Sequence, residues 1–170
     1  MDFKSFIRDV PNFPKDGIIF KDITPLLQSP EMLNKTTEAL AQLVNGHKID
    51  KVVGMESRGF IFGPLLASKL NAGFVPIRKP GKLPSTTLSE TYDLEYGKDT
   101  LEIHTDSIQK GDMVLIHDDV LATGGTASAA CKLVEKLGGN IVQCNFLIEL
   151  TFLEGISKIE EYQAKSLLKY

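Results

Sequence analysis

The sequence predicts an α/β domain built on a mostly parallel sheet. Short apolar runs at 52–55, 74–77, 113–117 and 141–150 alternate with stretches of helical periodicity, which is the rhythm of βαβ units. The run at 113–117 carries four apolar residues in succession, as suits a strand covered on both faces. The chain of 170 residues is long enough for one domain with a sizeable core and holds no repeat or low-complexity tract. In such sheets ligands bind beyond the carboxyl ends of the strands. The segments after Met55, Ile77 and His117 are therefore where chemistry is expected.

Each element has its own local signal. Phe3, Phe6, Ile7 and Val10 recur at helical spacing, with Pro11 as a stop, so a first helix is expected there. Residues 17–20 read as a short strand. Ser29, Pro30 and Glu31 make a helix start: a capping hydroxyl, a proline in the first turn, then an acid. Leu33, Leu40, Leu43 and Val44 give that helix an apolar face, and Gly46 a stop. After the strand at 52–55 come a helix at 60–70 and a strand at 74–77. Residues 80–98 carry Gly, Pro, Ser and Thr without sustained periodicity, the mark of a long loop or flexible hairpin. A short strand at 101–104 precedes the run at 113–117. A helix at 126–137, ended by Gly138 and Gly139, leads to the strand at 141–150. The remaining tail alternates weakly and has no clear pattern.

Composition narrows the partners. Apolar residues make up 42% and charged residues 24%, ordinary for a globular protein and too apolar for a disordered one. Nineteen Lys and Arg stand against 22 Asp and Glu, a net charge of −3, which argues against nucleic acid or an anionic membrane surface as partner. Only three of the basic residues are arginines: Arg8, Arg58 and Arg78. The N-terminus lacks the pattern of a signal peptide, and no apolar stretch approaches the roughly 18 residues of a spanning helix. Cys131 and Cys144 lack metal-ligand spacing and fall within apolar patterns, so buried thiols and a cytoplasmic location are expected. His47, His104 and His117 read as structural.

The strongest chemical signal follows the apolar run at 113–117. There Asp118 and Asp119 are followed by two apolar residues and then by Ala122, Thr123, Gly124, Gly125 and Thr126 at a helix start. Two glycines permit tight turning and close ligand approach. The free amides and dipole of the helix end favour an anion, and the threonines add hydroxyl donors. A plain tight turn with a capping threonine is the simpler alternative. The acid pair argues for more. Two carboxylates beside a phosphate repel it unless they serve another group. Sugar hydroxyls suit acceptor-only carboxylates, and a Mg²⁺ shell is the other option. A phosphorylated sugar satisfies both halves. Neither GxxxxGK[ST] nor GxGxxG occurs, so an ordinary P-loop nucleotidase or dinucleotide enzyme is disfavoured.

The run VLIHDDVLATGGT at 114–126 resembles the phosphoribosyl-pyrophosphate signature of the type I phosphoribosyltransferases. The resemblance extends to FPKDGIIFKDITP at 13–25, ESRGF at 56–60, IRKPGKLP at 77–84 and YDLEYG at 92–97, which are similar to segments of the adenine phosphoribosyltransferases. It implies the type I phosphoribosyltransferase fold as a single domain over 1–170. A small N-terminal hood comes mainly from about 1–30, and a flexible loop at about 80–98 lies over the site. The implied reaction moves ribose 5-phosphate from 5-phosphoribosyl 1-pyrophosphate to N9 of adenine, giving AMP and pyrophosphate. Mg²⁺ is implied as cofactor, held mainly by substrate and water and not directly by side chains, and the implied assembly is a homodimer.

The same resemblance assigns residues. Ala122, Thr123, Gly124, Gly125 and Thr126 would cradle the 5-phosphate, and Asp118 and Asp119 would hold the ribose hydroxyls. Arg58, Arg78, Lys79 and Lys82 would bind pyrophosphate, a planar guanidinium being suited to paired phosphate contacts. Pro80 stands where some relatives have another base. Phe20 would stack on adenine, the backbone of Ile19 and Lys21 would read its edge, and Leu150 would pack on its other face. Glu95 would assist proton movement at adenine N7, with Arg58 as the second catalytic residue and Tyr96 accompanying Glu95 in the loop. The Glu56–Ser57 peptide matches a place where relatives often have a cis bond. Two other readings share the signature. One is a phosphoribosyltransferase for hypoxanthine/guanine, xanthine or orotate, against which the segments around Phe20 and Glu95 speak. The other is a regulator that senses phosphoribosyl pyrophosphate, which needs an added DNA-binding module or a basic RNA-binding face.

Overall fold

The computed structural model describes residues 2–93 and 97–170. The chain forms two compact units, Met1–Ala39 and Leu40–Tyr170.

The N-terminal unit begins with a single 3₁₀ turn, Phe3–Phe6, in which Asp2 Oδ1 accepts from the Lys4 amide at 3.0 Å. The helix expected over residues 3–10 does not continue. Seven or eight residues nucleate a helix poorly, and Val10 lies opposite Phe20 in an antiparallel ribbon of β1 (Arg8–Pro11) and β2 (Ile19–Asp22). Asp22 then starts a one-turn helix, α1 (Thr24–Leu27), through bonds from the Thr24 amide and hydroxyl at 2.9 and 2.8 Å. Ser29 caps α2 (Pro30–Gln42) as expected, its Oγ accepting from the Met32 amide at 3.3 Å.

The second unit holds a five-stranded, all-parallel sheet flanked by helices. Its strands are β3 (Lys51–Met55), β4 (Gly73–Ile77), β7 (Met113–Leu121), β8 (Asn140–Glu149) and β9 (Ala164–Lys169), in the order β4-β3-β7-β8-β9. Helix α3 (Gly59–Lys69) follows β3, and α4 (Gly125–Lys136) follows β7. Val53, Met55, Ile116, Cys144 and Phe146 share one core with Ala127, Ala130, Cys131 and Val134 of α4. His117, the next residue along β7, faces Phe62 of α3 instead. Because side chains alternate across a strand, the two helices cover opposite faces. The fold thereby puts the start of each helix at the carboxyl edge of the sheet.

Three segments sharpen or depart from the sequence reading. Of the two alternatives for residues 80–98, a long loop or a hairpin, the structure has the hairpin: β5 (Thr87–Asp93) and β6 (Lys98–His104) form a fully paired antiparallel ladder from Thr87↔His104 to Asp93↔Lys98. Its cross-strand pairs stabilise it where a single strand's pattern shows nothing. Second, β7 runs four residues beyond His117, so Asp118 and Asp119 sit on a strand and not in a loop. Pairing with β8 carries the ladder past them to Leu121↔Glu149. Third, the tail supplies 3₁₀ turns at Thr151–Leu153 and Gly155–Ile159 and then β9, parallel to β8.

Candidate active site

At the carboxyl edge of the second unit's sheet is a cavity of about 400 Å³, lined by Glu56, Arg58, Lys79, Tyr92, Asp118, Asp119 and Thr126 among others. A smaller cavity of about 70 Å³ adjoins it at the loop from Ala122 to Thr126.

That loop is shaped by backbone. Gly124 has φ +78°, a conformation other residues rarely adopt. A Cβ there would lie 2.1 Å from the Gly155 carbonyl oxygen, and a Cβ on Gly155 would lie 2.1 Å from that of Ala122. Two glycines pressed together thus set the loop's path. The first intrahelical bond of α4 runs from the Ser128 amide to the Gly124 carbonyl at 2.9 Å. The amides of Gly125, Thr126 and Ala127 precede that point, so they belong to the donor-rich, electropositive end of the helix. An anion of phosphate size fits this end.

The acids sit at the end of β7. Asp119 is buried, and its Oδ2 faces Arg58 Nε at 3.0 Å without an aligned hydrogen bond. Asp118 accepts from the Asp119 amide at 2.9 Å. Burial pushes the Asp118 carboxyl well above the usual carboxylate range, and the charge of Asp119 adds to this. Burial also raises Asp119, while Arg58 opposes it. Such a pair gains from hydroxyl donors that restore what water no longer supplies. Among the described residues no group of three His, Cys, Asp or Glu gathers as a metal cluster. The carboxylates lining the larger cavity are Glu56, Asp118 and Asp119.

The four cations expected to bind pyrophosphate fall into two groups. Arg58 and Lys79 line the cavity, whereas Arg78 and Lys82 do not; they fold onto Glu56. Its carboxylate meets Arg78 Nε at 3.2 Å and the Lys79 amide at 2.7 Å, and pairs closely with Lys82. Burial works against ionised Glu56, but Lys82 and the Lys79 amide outweigh it and hold its pKa below the ordinary value. Lys79 itself pairs with Asp99. Burial disfavours the ammonium, yet Asp99 more than compensates, so its pKa is raised. The Glu56–Ser57 peptide is cis.

Similarity to known proteins decides the family. A phosphoribosyl transferase domain model matches residues 22–166. An adenine phosphoribosyltransferase of Flavobacterium johnsoniae is 62% identical over 170 residues, all of this chain and all of that protein. The crystal structure of the Thermoanaerobacter pseudethanolicus enzyme of that name is 53% identical, with a TM-score of 0.96 over 98% of this chain and 97% of the other. That of the Saccharomyces cerevisiae enzyme, complexed with an imino-altritol bisphosphate and adenine, is 46% identical, with a TM-score of 0.92 over 97% and 96%.

The chain belongs to the adenine phosphoribosyltransferase family.

Within this family's frame, the residues expected to face adenine are placed as follows. Ile19, Phe20 and Lys21 lie on β2 of the N-terminal unit. Phe20 packs edge-on against Phe13, with centroids 5.2 Å apart, and Lys21 pairs with Asp9 at 2.6 Å. Leu150 directly follows β8, its amide donating to the Leu121 carbonyl at 2.9 Å. Glu95 and Tyr96 lie outside the described residues. His117 is buried, bonded to Asn145 at 2.7 Å, and burial lowers its pKa to about 4, which fits the structural reading. Four residues have roles here that the sequence patterns did not assign: Glu56 and Tyr92 line the cavity, Asp99 holds Lys79, and Gly155 is pressed against Gly124. Glu56 stood in the same ESRGF run as Arg58 and could have been found there. The other three act through register and packing that no local pattern displays.

Proposed function

We infer that this chain is an adenine phosphoribosyltransferase. It joins N9 of adenine to the anomeric carbon of 5-phosphoribosyl 1-pyrophosphate, and the bond from that carbon to pyrophosphate breaks. The products are AMP and pyrophosphate, and the N9 proton leaves. The observation that carries the reading is the pairing, in one cleft, of an open helix N-terminus with a buried carboxylate, Asp119, and a half-buried one, Asp118, at the adjoining strand end. A phosphorylated sugar matches both.

In this reading Ala122, Thr123, Gly124, Gly125 and Thr126 hold the 5-phosphate, and Asp118 and Asp119 accept from the ribose hydroxyls. Arg58 and Lys79 receive the pyrophosphate, joined by Arg78 and Lys82 once these leave Glu56. Positive charge so placed stabilises the leaving group more as its charge develops. Phe20 stacks on adenine, Ile19 and Lys21 read its edge by backbone, and Leu150 covers its other face. Glu95 relays a proton at adenine N7, with Tyr96 beside it. The segment at 80–98 excludes water, which would otherwise capture the ribosyl group. Mg²⁺ is the proposed cofactor, held by substrate oxygens and water beside the hard carboxylates Asp118 and Asp119, and it would neutralise pyrophosphate charge.

The working assembly is a homodimer. Support comes from α3, apolar around most of its surface, which leaves Pro64 and Leu65 exposed. The proposed compartment is the cytoplasm. Cys131 and Cys144 are free thiols with sulfurs 3.6 Å apart, as a reducing setting permits. Among the described residues no helix is long and apolar enough to cross a membrane.

A panel of bases tests the reading. With Mg²⁺ and phosphoribosyl pyrophosphate, adenine yields AMP, while hypoxanthine, guanine, xanthine and orotate yield little product. Turnover of another base in place of adenine would overturn it.

A further inference from the structure

Tyr92 stands between the two ends of the cleft. It lies on β5 directly opposite Asp99 of β6, and its hydroxyl donates to Asp99 Oδ2 at 3.1 Å. The same hydroxyl is 3.2 Å from Thr126 Oγ1, in the first turn of α4. Its ring covers Gly125 so closely that a Cβ there would sit 3.0 Å from Tyr92 Cδ2. Two residues earlier, on the same face of β5, Glu90 pairs with Lys136 of α4 at 2.6 Å. Asp99 in turn holds Lys79, whose ammonium is 6.0 Å from the Tyr92 ring centroid. A continuous chain therefore runs Thr126–Tyr92–Asp99–Lys79, from the phosphate loop to the pyrophosphate-side lysine.

Proton counting gives this chain a direction. Asp99 can only accept and the Lys79 ammonium can only donate. With its one proton on Asp99, Tyr92 accepts from Thr126. A phosphate at the helix end also only accepts, so it takes the Thr126 proton. A hydroxyl that donates to an anion becomes a better acceptor, and the single Tyr92 proton is then drawn from Asp99 to Thr126. Asp99 keeps only the Thr100 amide, at 2.8 Å, besides Lys79, and it grips Lys79 harder.

We propose that Tyr92 is a positioning residue through which the 5-phosphate site controls how readily Lys79 is released to pyrophosphate. The coupling is antagonistic: a filled phosphate loop weakens pyrophosphate binding and so favours its departure after transfer. The proposal rests on the ligand assignment of the cleft made above.

The test measures the affinity of magnesium pyrophosphate for the full chain by calorimetry, with and without saturating ribose 5-phosphate. Repulsion between the two anions acts equally in all variants, so the difference between variants reports the relay. Tyr92→Phe keeps the ring over Gly125 and removes only the hydroxyl. In it the antagonism falls at least about fivefold relative to the unmodified protein, within the usual range of such couplings. Thr126→Ser, which retains a hydroxyl, keeps the antagonism. Unchanged antagonism in Tyr92→Phe, or its loss in Thr126→Ser, would overturn the proposal alone. Failure of the unmodified protein to bind either ligand would overturn the cleft assignment together with it.

Discussion

The two ends of the cleft are built on opposite plans. At the phosphate end the shape comes from backbone: Gly124 at φ +78° is pressed against Gly155, and α4 begins there. No side chain has to move to present the helix amides. At the cationic end the shape comes from side chains already engaged within the protein, Arg78 and Lys82 on Glu56 and Lys79 on Asp99. The first plan gives a fixed anchor. The second holds cations on internal carboxylates, two on Glu56 and one on Asp99, and releases them to a ligand that competes with those carboxylates. An anchor should tolerate no change, whereas a reserve of paired cations should lose function by degrees.

The largest expected effect is at the anchor. Gly124→Ala forces a Cβ into the Gly155 carbonyl at a positive φ. It should cost roughly 2–4 kcal/mol of stability, read as a lowered melting temperature, and remove phosphoribosyl pyrophosphate binding. An active, unaltered Gly124→Ala protein would break the contrast. Next comes Asp118→Asn with Asp119→Asn. Turnover should fall by roughly a thousandfold, as when transition-state contacts are lost. The fold should persist in circular dichroism, because burying those charges is costly in the first place. Full turnover would end the ribose assignment.

At the cationic end Glu56→Gln removes the carboxylate that competes for Arg78 and Lys82, so the KM for phosphoribosyl pyrophosphate should fall, by up to about tenfold, equivalent to about 1.4 kcal/mol, with a smaller change in kcat. It also has a pH signature. The pKa of Glu56 is lowered from 4.5, so its contribution to stability is present above pH 4.5 and lost as pH falls through the lower folded value. That acid limb should vanish in Glu56→Gln. A separate decline remains. His117 has a pKa of about 4 against an ordinary 6.5, so the unfolded chain takes its proton first and stability falls as pH drops from 6.5 to about 4. Melting temperatures across pH 3 to 7 resolve the two limbs. The smallest effect is Lys82→Ala. Its side chain is 47% exposed, and such a pair is worth at most about 1 kcal/mol. A KM rise of about twofold is expected in steady-state kinetics, far below that of Gly124→Ala.

The same contrast explains what the sequence revealed. Gly155 apart, the anchor was legible because its parts are adjacent in the chain: apolar strand, two acids, two glycines, helix. The parallel strands were legible for the same reason, each carrying its own apolar run. The cationic end was only half legible. Arg58, Arg78, Lys79 and Lys82 stood out as charges, but not that two of them would fold onto Glu56, since that depends on β3 pairing with β4 in register Met55↔Ile77. Tyr92 and Asp99 meet only through the β5–β6 ladder, in a segment whose composition resembles a loop. The N-terminal pattern Phe3, Phe6, Ile7, Val10 misled because strand pairing outweighed a helix of barely two turns.

A crystal structure with ribose 5-phosphate and magnesium pyrophosphate bound tests the contrast most directly. The account predicts the 5-phosphate on the amides of Gly125, Thr126 and Ala127 with the loop's backbone unmoved, and Lys79 and Lys82 withdrawn from Asp99 and Glu56 onto pyrophosphate. A rearranged phosphate loop, or lysines still on their carboxylates beside a bound pyrophosphate, would contradict it.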